Sequence, residues 1–380
     1  MKESVFLPIG VVKMTLRTVI ALSVLGPLVP VESFVQAPSG SQASSAIIRQ
    51  TVGDEKDKSK APHASLRLER VKIASELAQS VFLDLKCDSS GNLFIRSDPD
   101  GFMAIQKLSP RGERLGLYQA KSPDVKVDHA GYFSLGPDGD VYQIIMAHEI
   151  TRYVFVYNAD GTVRSEIKLQ PGFPFVPSKV AVFPSGDLLV AGLEYDKDRT
   201  AAMWPFTGIF SSDGSLRKEV ALVDDENIRA MAASGDPKVV SPQNPSSDRA
   251  VMQGAAETSQ DGNVYLMRRL SPAIVYAISP GGAVIRRFTV DPGEGDFMPV
   301  AMHAAGGRMA ILFRQEQTRK EIIKVVDLEG HETATYDEPV VDGKQALGMA
   351  FACYASNPEH FVFLTTMDDA RLGVVIATPQ

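Results

Sequence analysis

The chain has 380 residues, of which 44% are hydrophobic and 22% are charged, and its formal net charge is −7. The composition is typical of a globular protein, and the length allows one large domain or two smaller ones. The acidic balance argues against a broad nucleic-acid-binding surface, and two cysteines are too few for a cysteine-rich metal scaffold.

The N-terminal residues 1–37 are predicted to be a signal peptide. Lys13 and Arg17 precede the apolar run TVIALSVLGPLVPV, which is short and interrupted by proline. Cleavage is expected between residues 33 and 46, Met14 is an alternative start, and an uncleaved anchor is the alternative interpretation. We therefore expect a secreted or periplasmic protein whose mature form has no membrane span. Residues 38–64 are polar and charged and are predicted to be a disordered linker.

Two interlocking series of turns repeat along the rest of the chain. Each first turn precedes an apolar run, as in GPDG-DVYQI and SQDG-NVYLM, and its glycine is Gly91, Gly139, Gly186, Gly262 or Gly307. A second turn follows in each copy, with its glycine at Gly112, Gly161, Gly214, Gly282 or Gly330. Successive first-turn glycines lie 48, 47, 76 and 45 residues apart. A period near 45 residues is typical of propeller blades.

These repeats predict an all-β fold, a six-bladed β-propeller of four-stranded antiparallel blades over residues 65–380. In the fourth blade the strands are expected near 253–258, 263–268, 274–278 and 283–289. The sixth copy supplies only three strands, and residues 66–73 are predicted to add its missing outer strand and close the ring. The alternative for 66–73 is a helix covering the rim. A long insertion near 224–250, rich in Pro, Ser and Asn, is expected to arch over the channel mouth.

The repeat resembles NHL-type six-bladed propellers and, more loosely, the TolB-like group. This resemblance covers about residues 65–380 and implies a ring that displays binding loops for protein, glycan or small ligands, with enzymes in the minority. We therefore expect a monomeric binding module for an unidentified protein, glycan or small-molecule ligand, with no nucleic-acid partner. A structural role in a cell-envelope assembly is a further alternative.

The ligand is expected on the face that carries the long connections, those between the second and third strands of each blade and those between blades. The short, repetitive DG, GG and SG turns occupy the other face. The predicted contact residues are Glu149, Arg152, Glu194, Tyr195, Arg199, Arg269 and Arg314. The alternative is that these charges only keep the surface soluble.

No motif for a catalytic nucleophile or a metalloprotease is present, and no catalytic residue, metal or cofactor is predicted. The alternative function is a lactonase-like propeller hydrolase with a divalent metal in the central channel. His129 and His303 could approach that channel, and Asp84 or Glu257 would have to complete the ligand set.

The sequence also predicts the environment of the two cysteines, of the tryptophan and of two arginine pairs. Cys87 and Cys353 both close inner strands, in the first and last blades, and could form a disulfide. Two free buried thiols are favoured, because inner strands of adjacent blades often lie more than about 7 Å apart. Trp204 is expected to pack between blades. The basic pairs Arg268-Arg269 and Arg286-Arg287 are expected at solvated strand edges.

Overall fold

The computed structural model describes residues 63–72, 82–97, 104–148, 151–195, 204–226, 247–341, 344–345, 347, 350–367 and 372–380. Six antiparallel four-stranded blades form a ring, as the repeat predicts. The predicted signal peptide, and the linker up to residue 62, lie outside the described residues. Within the described ranges, no helix is both long enough and apolar enough to cross a membrane.

In each blade the strands run outward from the channel, and we call them A, B, C and D in that order. Blade 1 contains β3 (Phe82–Cys87), β4 (Leu93–Ser97), β5 (Ile105–Leu108) and β6 (Arg114–Tyr118). Blade 2 contains β7 (Val127–Leu135), β8 (Val141–Ala147), β9 (Arg152–Tyr157) and β10 (Val163–Lys168). Blade 3 contains β11 (Phe175–Val182), β12 (Leu188–Glu194), β13 (Trp204–Phe210) and β14 (Leu216–Glu219).

Blade 4 contains β15 (Ala255–Thr258), β16 (Val264–Arg268), β17 (Ala273–Ile278) and β18 (Val284–Val290). Blade 5 contains β19 (Phe297–Ala305), β20 (Arg308–Gln315), β21 (Glu321–Asp327) and β22 (Glu332–Asp337), and a short strand β1 (His63–Ala64) pairs parallel with β22. A small hairpin, β23 (Val340–Val341) and β24 (Lys344–Gln345), precedes blade 6. Blade 6 contains β25 (Ala350–Ser356), β26 (Glu359–Thr366) and β27 (Leu372–Pro379).

The ring is closed by β2 (Leu66–Lys72), which pairs antiparallel with β27 from Leu66↔Pro379 to Lys72↔Gly373. The expected closing strand is therefore confirmed, and the helical alternative is wrong. Strand D of the last blade comes from the N-terminal side of the domain, so this blade contains no unpaired C strand that could recruit another chain.

The turn glycines fix the hairpins. All ten glycines of the two turn series have positive φ, between 71° and 91°. Two of them also approach the backbone of the neighbouring blade closely: a Cβ on Gly161 would lie 2.1 Å from the Leu117 carbonyl oxygen, and one on Gly214 would lie 1.9 Å from that of Lys168. Glycine is required there both for its conformation and for the contact between blades.

The core consists of buried apolar clusters between neighbouring blades. In β16, for example, Val264 and Leu266 face blade 3, whereas Tyr265 and Met267 face blade 5. Successive side chains of a strand point to opposite sides, and both sides are covered by a blade, so the middle strands read as continuous apolar runs.

Two expectations are corrected by this packing. Cys87 and Cys353 form a disulfide between blades 1 and 6, because their Cα atoms lie only 5.5 Å apart. The expectation of free thiols was wrong. Arg268 is fully buried rather than solvated, and its guanidinium donates to both carboxylate oxygens of Asp225 and to Thr207 Oγ1. Trp204 is half-buried on β13.

Only the two ends of the predicted insertion are described. Asp225, near its start, is held by Arg268. Near its end, helix α1 (Ser247–Met252) places Ala250 and Val251 in buried positions. Residues 227–246 lie outside the described part of the chain.

Candidate functional site

The A strands of all six blades each contribute one polar or aromatic side chain to a series of contacts in the channel. These side chains are Lys86, Tyr132, Lys179, Glu257, His303 and Phe351. Five of the six are capable of hydrogen bonding through their side chains, and four of those can carry charge. The channel is therefore a polar centre surrounded by the apolar packing between blades.

Lys86 and Glu257 form an ion pair across this centre. Lys86 belongs to blade 1 and Glu257 to blade 4, which lies opposite in a six-membered ring. Burial alone would lower the pKa of Lys86, but the Glu257 carboxylate and Tyr132 outweigh it and raise that pKa. Burial would raise the pKa of Glu257, but Lys86 and His303 outweigh it and lower that pKa. The pair is therefore fully ionised at neutral pH.

Tyr132 and His303 complete the network around this pair. Lys86 Nζ donates to Tyr132 Oη over 2.7 Å, and Tyr132 Oη donates to the Ala256 carbonyl oxygen over 3.2 Å. Burial raises the pKa of Tyr132 to about 12, so the phenol keeps its proton. His303 Nδ1 lies 3.5 Å from Glu257 Oε1, and its Nε2 lies 3.3 Å from the carbonyl oxygen of Phe351.

A second ion pair lies beside the first. The Arg96 guanidinium, on strand B of blade 1, binds Asp84 Oδ2 through Nε over 2.6 Å and through Nη2 over 2.5 Å. Arg96 Nη1 donates to the Ala130 carbonyl oxygen of blade 2 over 3.1 Å. Both carboxylates of the channel centre are therefore engaged by a cation of blade 1.

Lys179 is the exception in this arrangement. It is 8% exposed, and no hydrogen bond or ion pair reaches its ammonium from the described residues. Its contact is with the Tyr132 ring, whose centroid lies 4.3 Å from Nζ. The pKa of Lys179 is lowered to about 8: burial is the largest cause, Asp84 opposes it, and repulsion from Lys86 and Arg96 adds to it.

A cavity of about 410 Å³ lies over this cluster. Its polar lining consists of Asp84, Lys86, Arg96, Tyr132, Lys179, Gln253, His303 and Arg314. Its remaining lining is apolar or backbone, from Leu85, Met252, Gly254, Ala255, Val300, Ala301, Met302, Leu312, Ala350 and Phe351. Gln253 and Arg314 lie where strand A begins and strand B ends, so the cavity is on the face that carries the long connections.

Two of the predicted ligand contacts border this cavity. Arg314 lines it directly and binds Glu321 through Nε over 2.6 Å. Arg269 donates through Nη1 to Gln253 Oε1 and through Nε to the Pro299 carbonyl oxygen, 3.1 Å away. Arg314 therefore lines the cavity itself, whereas Arg269 reaches it only through its contact with the lining residue Gln253.

The other predicted contacts are placed apart from the cavity or are not described. Arg152 begins β9, Glu194 ends β12, and Tyr195 follows Glu194 with its amide bonded to the Pro174 carbonyl oxygen. None of these three lines the cavity. Glu149 and Arg199 lie outside the described residues. A role for the seven residues in ligand binding stays a prediction.

Glu321, the partner of Arg314, is itself unusual. Its carboxylate is buried, and Oε2 has no hydrogen-bond partner within the described part of the chain. Burial raises the pKa of Glu321 to about 7, Arg314 opposes this rise, and Glu338 adds to it. The rim residue Arg314 is therefore paired with a carboxyl group whose pKa is raised by burial.

The predicted metal ligands meet only in part. Glu257 and His303 approach each other, but Lys86 occupies the position beside the carboxylate where a cation would bind. Asp84 is engaged by Arg96, and His129, on β7, is not among the cavity-lining residues. Across the described residues, no group of three or more His, Cys, Asp or Glu side chains is arranged to hold a metal ion.

Sequence reasoning missed Lys86, Tyr132 and Lys179, although it identified Asp84, Glu257 and His303 as channel residues. A usable signal was present in the A strands, since FLDLKC and FVPSKVAV each contain one lysine within a mostly apolar run. A lone lysine on a buried strand indicates either an ion pair within the protein or an anion-binding site.

Comparisons with known proteins find similar solved structures but no family for the chain. No protein-family model matches the chain, and no curated protein matches it either. Among solved structures, a member of the DUF4221 family from Bacteroides vulgatus is 7% identical with a TM-score of 0.51, covering 84% of this chain and 98% of that one.

Two further solved structures are similar to this chain. A catalytically inactive virginiamycin B lyase from Staphylococcus aureus, crystallised with quinupristin, is 12% identical with a TM-score of 0.43, covering 82% of this chain and 99% of that one. The Pan2 WD40 domain of Neurospora crassa is 11% identical with a TM-score of 0.42, covering 84% of this chain and 98% of that one. The six-bladed β-propeller is established by the four-stranded sheets of the structure itself.

Proposed function

We propose that this propeller is a binding module that holds a small organic ligand in the channel cavity. The observation that carries this proposal is the cavity itself, about 410 Å³ in volume and lined by all six A strands or their neighbours. This volume lies within the range of about 300–1,000 Å³ that is usual for small-molecule pockets.

The lining supports the same proposal. Apolar side chains such as Val300, Leu312 and Phe351 face a few convergent polar groups, among them Lys179 and Arg314. Ligand pockets combine apolar surface for affinity with a few fixed polar groups for orientation. The ion pair of Lys86 and Glu257 crosses the channel and forms a floor that is held in place before any ligand arrives.

A secreted or periplasmic location is part of the proposal. The Cys87–Cys353 disulfide supports it, because such bonds persist in oxidising compartments. The monomeric state and the NHL-type or TolB-like assignment also remain proposals.

The alternative of a metal-dependent hydrolase does not fit the donor set. Glu257 and Asp84 are already neutralised by Lys86 and Arg96, and Lys179 adds a further positive charge. The positive charges of Lys86, Arg96 and Lys179 would repel a divalent cation at this centre.

The experiment is a thermal-shift screen of the full chain with small sugars, organic acids, amines and neutral metabolites, followed by calorimetry on the compounds that shift the melting temperature. Ala301→Met fills part of the cavity and should weaken binding at least about tenfold, because it displaces ligand volume. Ala283→Met, at an exposed position, is the matched control and should bind as the wild type does. Failure of every compound, or equal binding by both variants, would contradict the proposal.

A further inference from the structure

The charge of the channel centre is not balanced, and the imbalance lies at Lys179. Arg96 is paired with Asp84, and Lys86 is paired with Glu257. Lys179 lines the cavity with neither carboxylate as a direct partner. A buried ammonium costs free energy unless an anion or several acceptors compensate it.

The surroundings of Lys179 offer only partial compensation. The Tyr132 ring provides a cation–π contact, with its centroid 4.3 Å from Nζ, and such contacts are weaker than an ion pair. The Tyr132 hydroxyl is engaged elsewhere: it accepts from Lys86 and donates to the Ala256 carbonyl oxygen, while Lys179 contacts only the ring. Tyr132 is thus a positioning residue: its ring directs the ammonium of Lys179, while its hydroxyl is fixed elsewhere.

The shape of the cavity restricts what could supply the missing charge. One excess positive charge calls for one negative charge. The neighbouring apolar wall, from Val300, Met302, Leu312 and Phe351, suits a carbon skeleton rather than a second charged group. A small organic monocarboxylate satisfies both conditions.

We infer that the cavity binds a small organic acid and that the Lys179 ammonium receives its carboxylate. This inference rests on the proposed function and specifies the ligand class of the same cavity. The depressed pKa of Lys179, about 8, supports it: an anion beside the ammonium would raise that pKa, so binding at pH 8 to 9 takes up a proton.

The test uses pairs of compounds with one shape and different charge, such as phenylacetate with phenylacetamide and hexanoate with hexanamide. Affinity for the full chain is measured by calorimetry at pH 7 and pH 9.5. We expect each acid to bind roughly 10- to 100-fold more tightly than its amide at pH 7, as for a charge-assisted hydrogen bond. This preference should shrink at pH 9.5, where Lys179 is largely neutral in the free protein.

Three variants test the residue. Lys179→Met should abolish the preference for acids over amides and the proton uptake at pH 8.5, which is measured in two buffers of different ionisation enthalpy. Lys179→Arg should retain part of the preference, because it keeps the positive charge. Lys168→Met, at an exposed position on β10, is the matched control and should behave as the wild type.

The outcomes separate this inference from the proposed function. If acids and amides bind equally to the wild type, the cavity is a binding site but Lys179 is not an anion receptor. An acid preference that survives in Lys179→Met would equally overturn the role of Lys179. Tighter binding of phenyl phosphate than of phenylacetate would replace the carboxylate by a phosphate ester and so overturn the assigned class. Binding of amides by Lys179→Met shows that the variant is folded and that the cavity is intact.

Discussion

The ammonium group of Lys86 and the carboxylate of Glu257 meet across the propeller channel, although the two residues lie 171 positions apart in the sequence and on opposite blades. An ion pair in this place links blade 1 to blade 4 directly, and the hydrogen bond from Tyr132 Oη to the Ala256 carbonyl oxygen likewise links blade 2 to blade 4 across the channel. Its two charges are also largely removed from solvent, so neither is tolerated without the other.

The first prediction concerns this pair. Glu257→Gln leaves Lys86 charged and unpaired beside Lys179, so we expect a loss of about 3–5 kcal/mol in the free energy of unfolding, measured by urea denaturation. Arg164→Met, which breaks the exposed pair with Asp140, is the matched control and should cost less than about 1 kcal/mol. Equal losses in the two variants would show that the cross-channel pair has no special role.

Lys179 provides the second prediction, which concerns pH. Its folded-state pKa of about 8 lies below the ordinary 10.5. Above pH 10.5 the lysine is therefore neutral in both states and does not reduce the free energy of unfolding, and the reduction grows as pH falls to about 8. Lys179→Met should therefore stabilise the unliganded protein at pH 7 by roughly 3 kcal/mol, and this gain should nearly vanish by pH 10.5. Unfolding free energies of wild type and variant at both pH values provide the measurement. A variant that is less stable than wild type at pH 7 would refute the account.

The third prediction concerns Glu321 at the cavity rim. Its folded-state pKa of about 7 lies above the ordinary 4.5, so its contribution to stability is complete below pH 4.5 and is lost as pH rises through 7. Stability of Glu321→Gln relative to wild type should therefore rise by roughly 3 kcal/mol between pH 4.5 and pH 7. Thermal denaturation at several pH values checks this change. Glu316→Gln, at an exposed carboxylate, is the control, and a parallel pH dependence in both variants would argue against a raised pKa.

The fourth prediction concerns the disulfide. The bond between Cys87 and Cys353 closes a loop of 266 residues across the interface of blades 1 and 6. Cys87→Ser with Cys353→Ser should cost about 2–5 kcal/mol of stability. Labelling of the unfolded, unreduced wild type should find no thiol, and labelling after reduction should find two. Two reactive thiols before reduction would mean that the bond does not form.

The fold could be predicted because its signals are local. Each hairpin is encoded by a turn glycine such as Gly161, which needs positive φ and lies against the carbonyl of Leu117. The closing strand was recognisable because the sixth repeat lacked one strand, and β2 supplies it. Turn spacing and strand count require no knowledge of which side chains meet.

The site could not be predicted in the same way, because its contacts depend on register and closure. The pairing of β11 with β12 shifts between Pro177 and Lys179, and a comparable irregularity between Phe82 and Asp84 affects β3. A bulge changes which side chains face the channel, so simple alternation counted from the turn fails. Asp84 and Glu257 were placed in the channel correctly. Arg96, which neutralises Asp84, is its register partner on the next strand of the same blade, on the far side of the irregularity in β3. Lys86, which neutralises Glu257, lies on the opposite blade and could be identified only once the ring was closed.

The pairing of β2 with β27 also sets the order in which the domain can be completed. Ser65 and Gln380, 315 positions apart, are joined by a side-chain hydrogen bond, and the strands beside them are the first and last of the ring. During synthesis, β2 has no partner until residues 372–379 have emerged, so blade 6 forms last and cannot be finished by any shorter chain. Contacts of such high sequence separation slow folding and prolong the exposure of unpaired strand edges. The nascent propeller therefore has its greatest need of protection from aggregation just before its final strand is made.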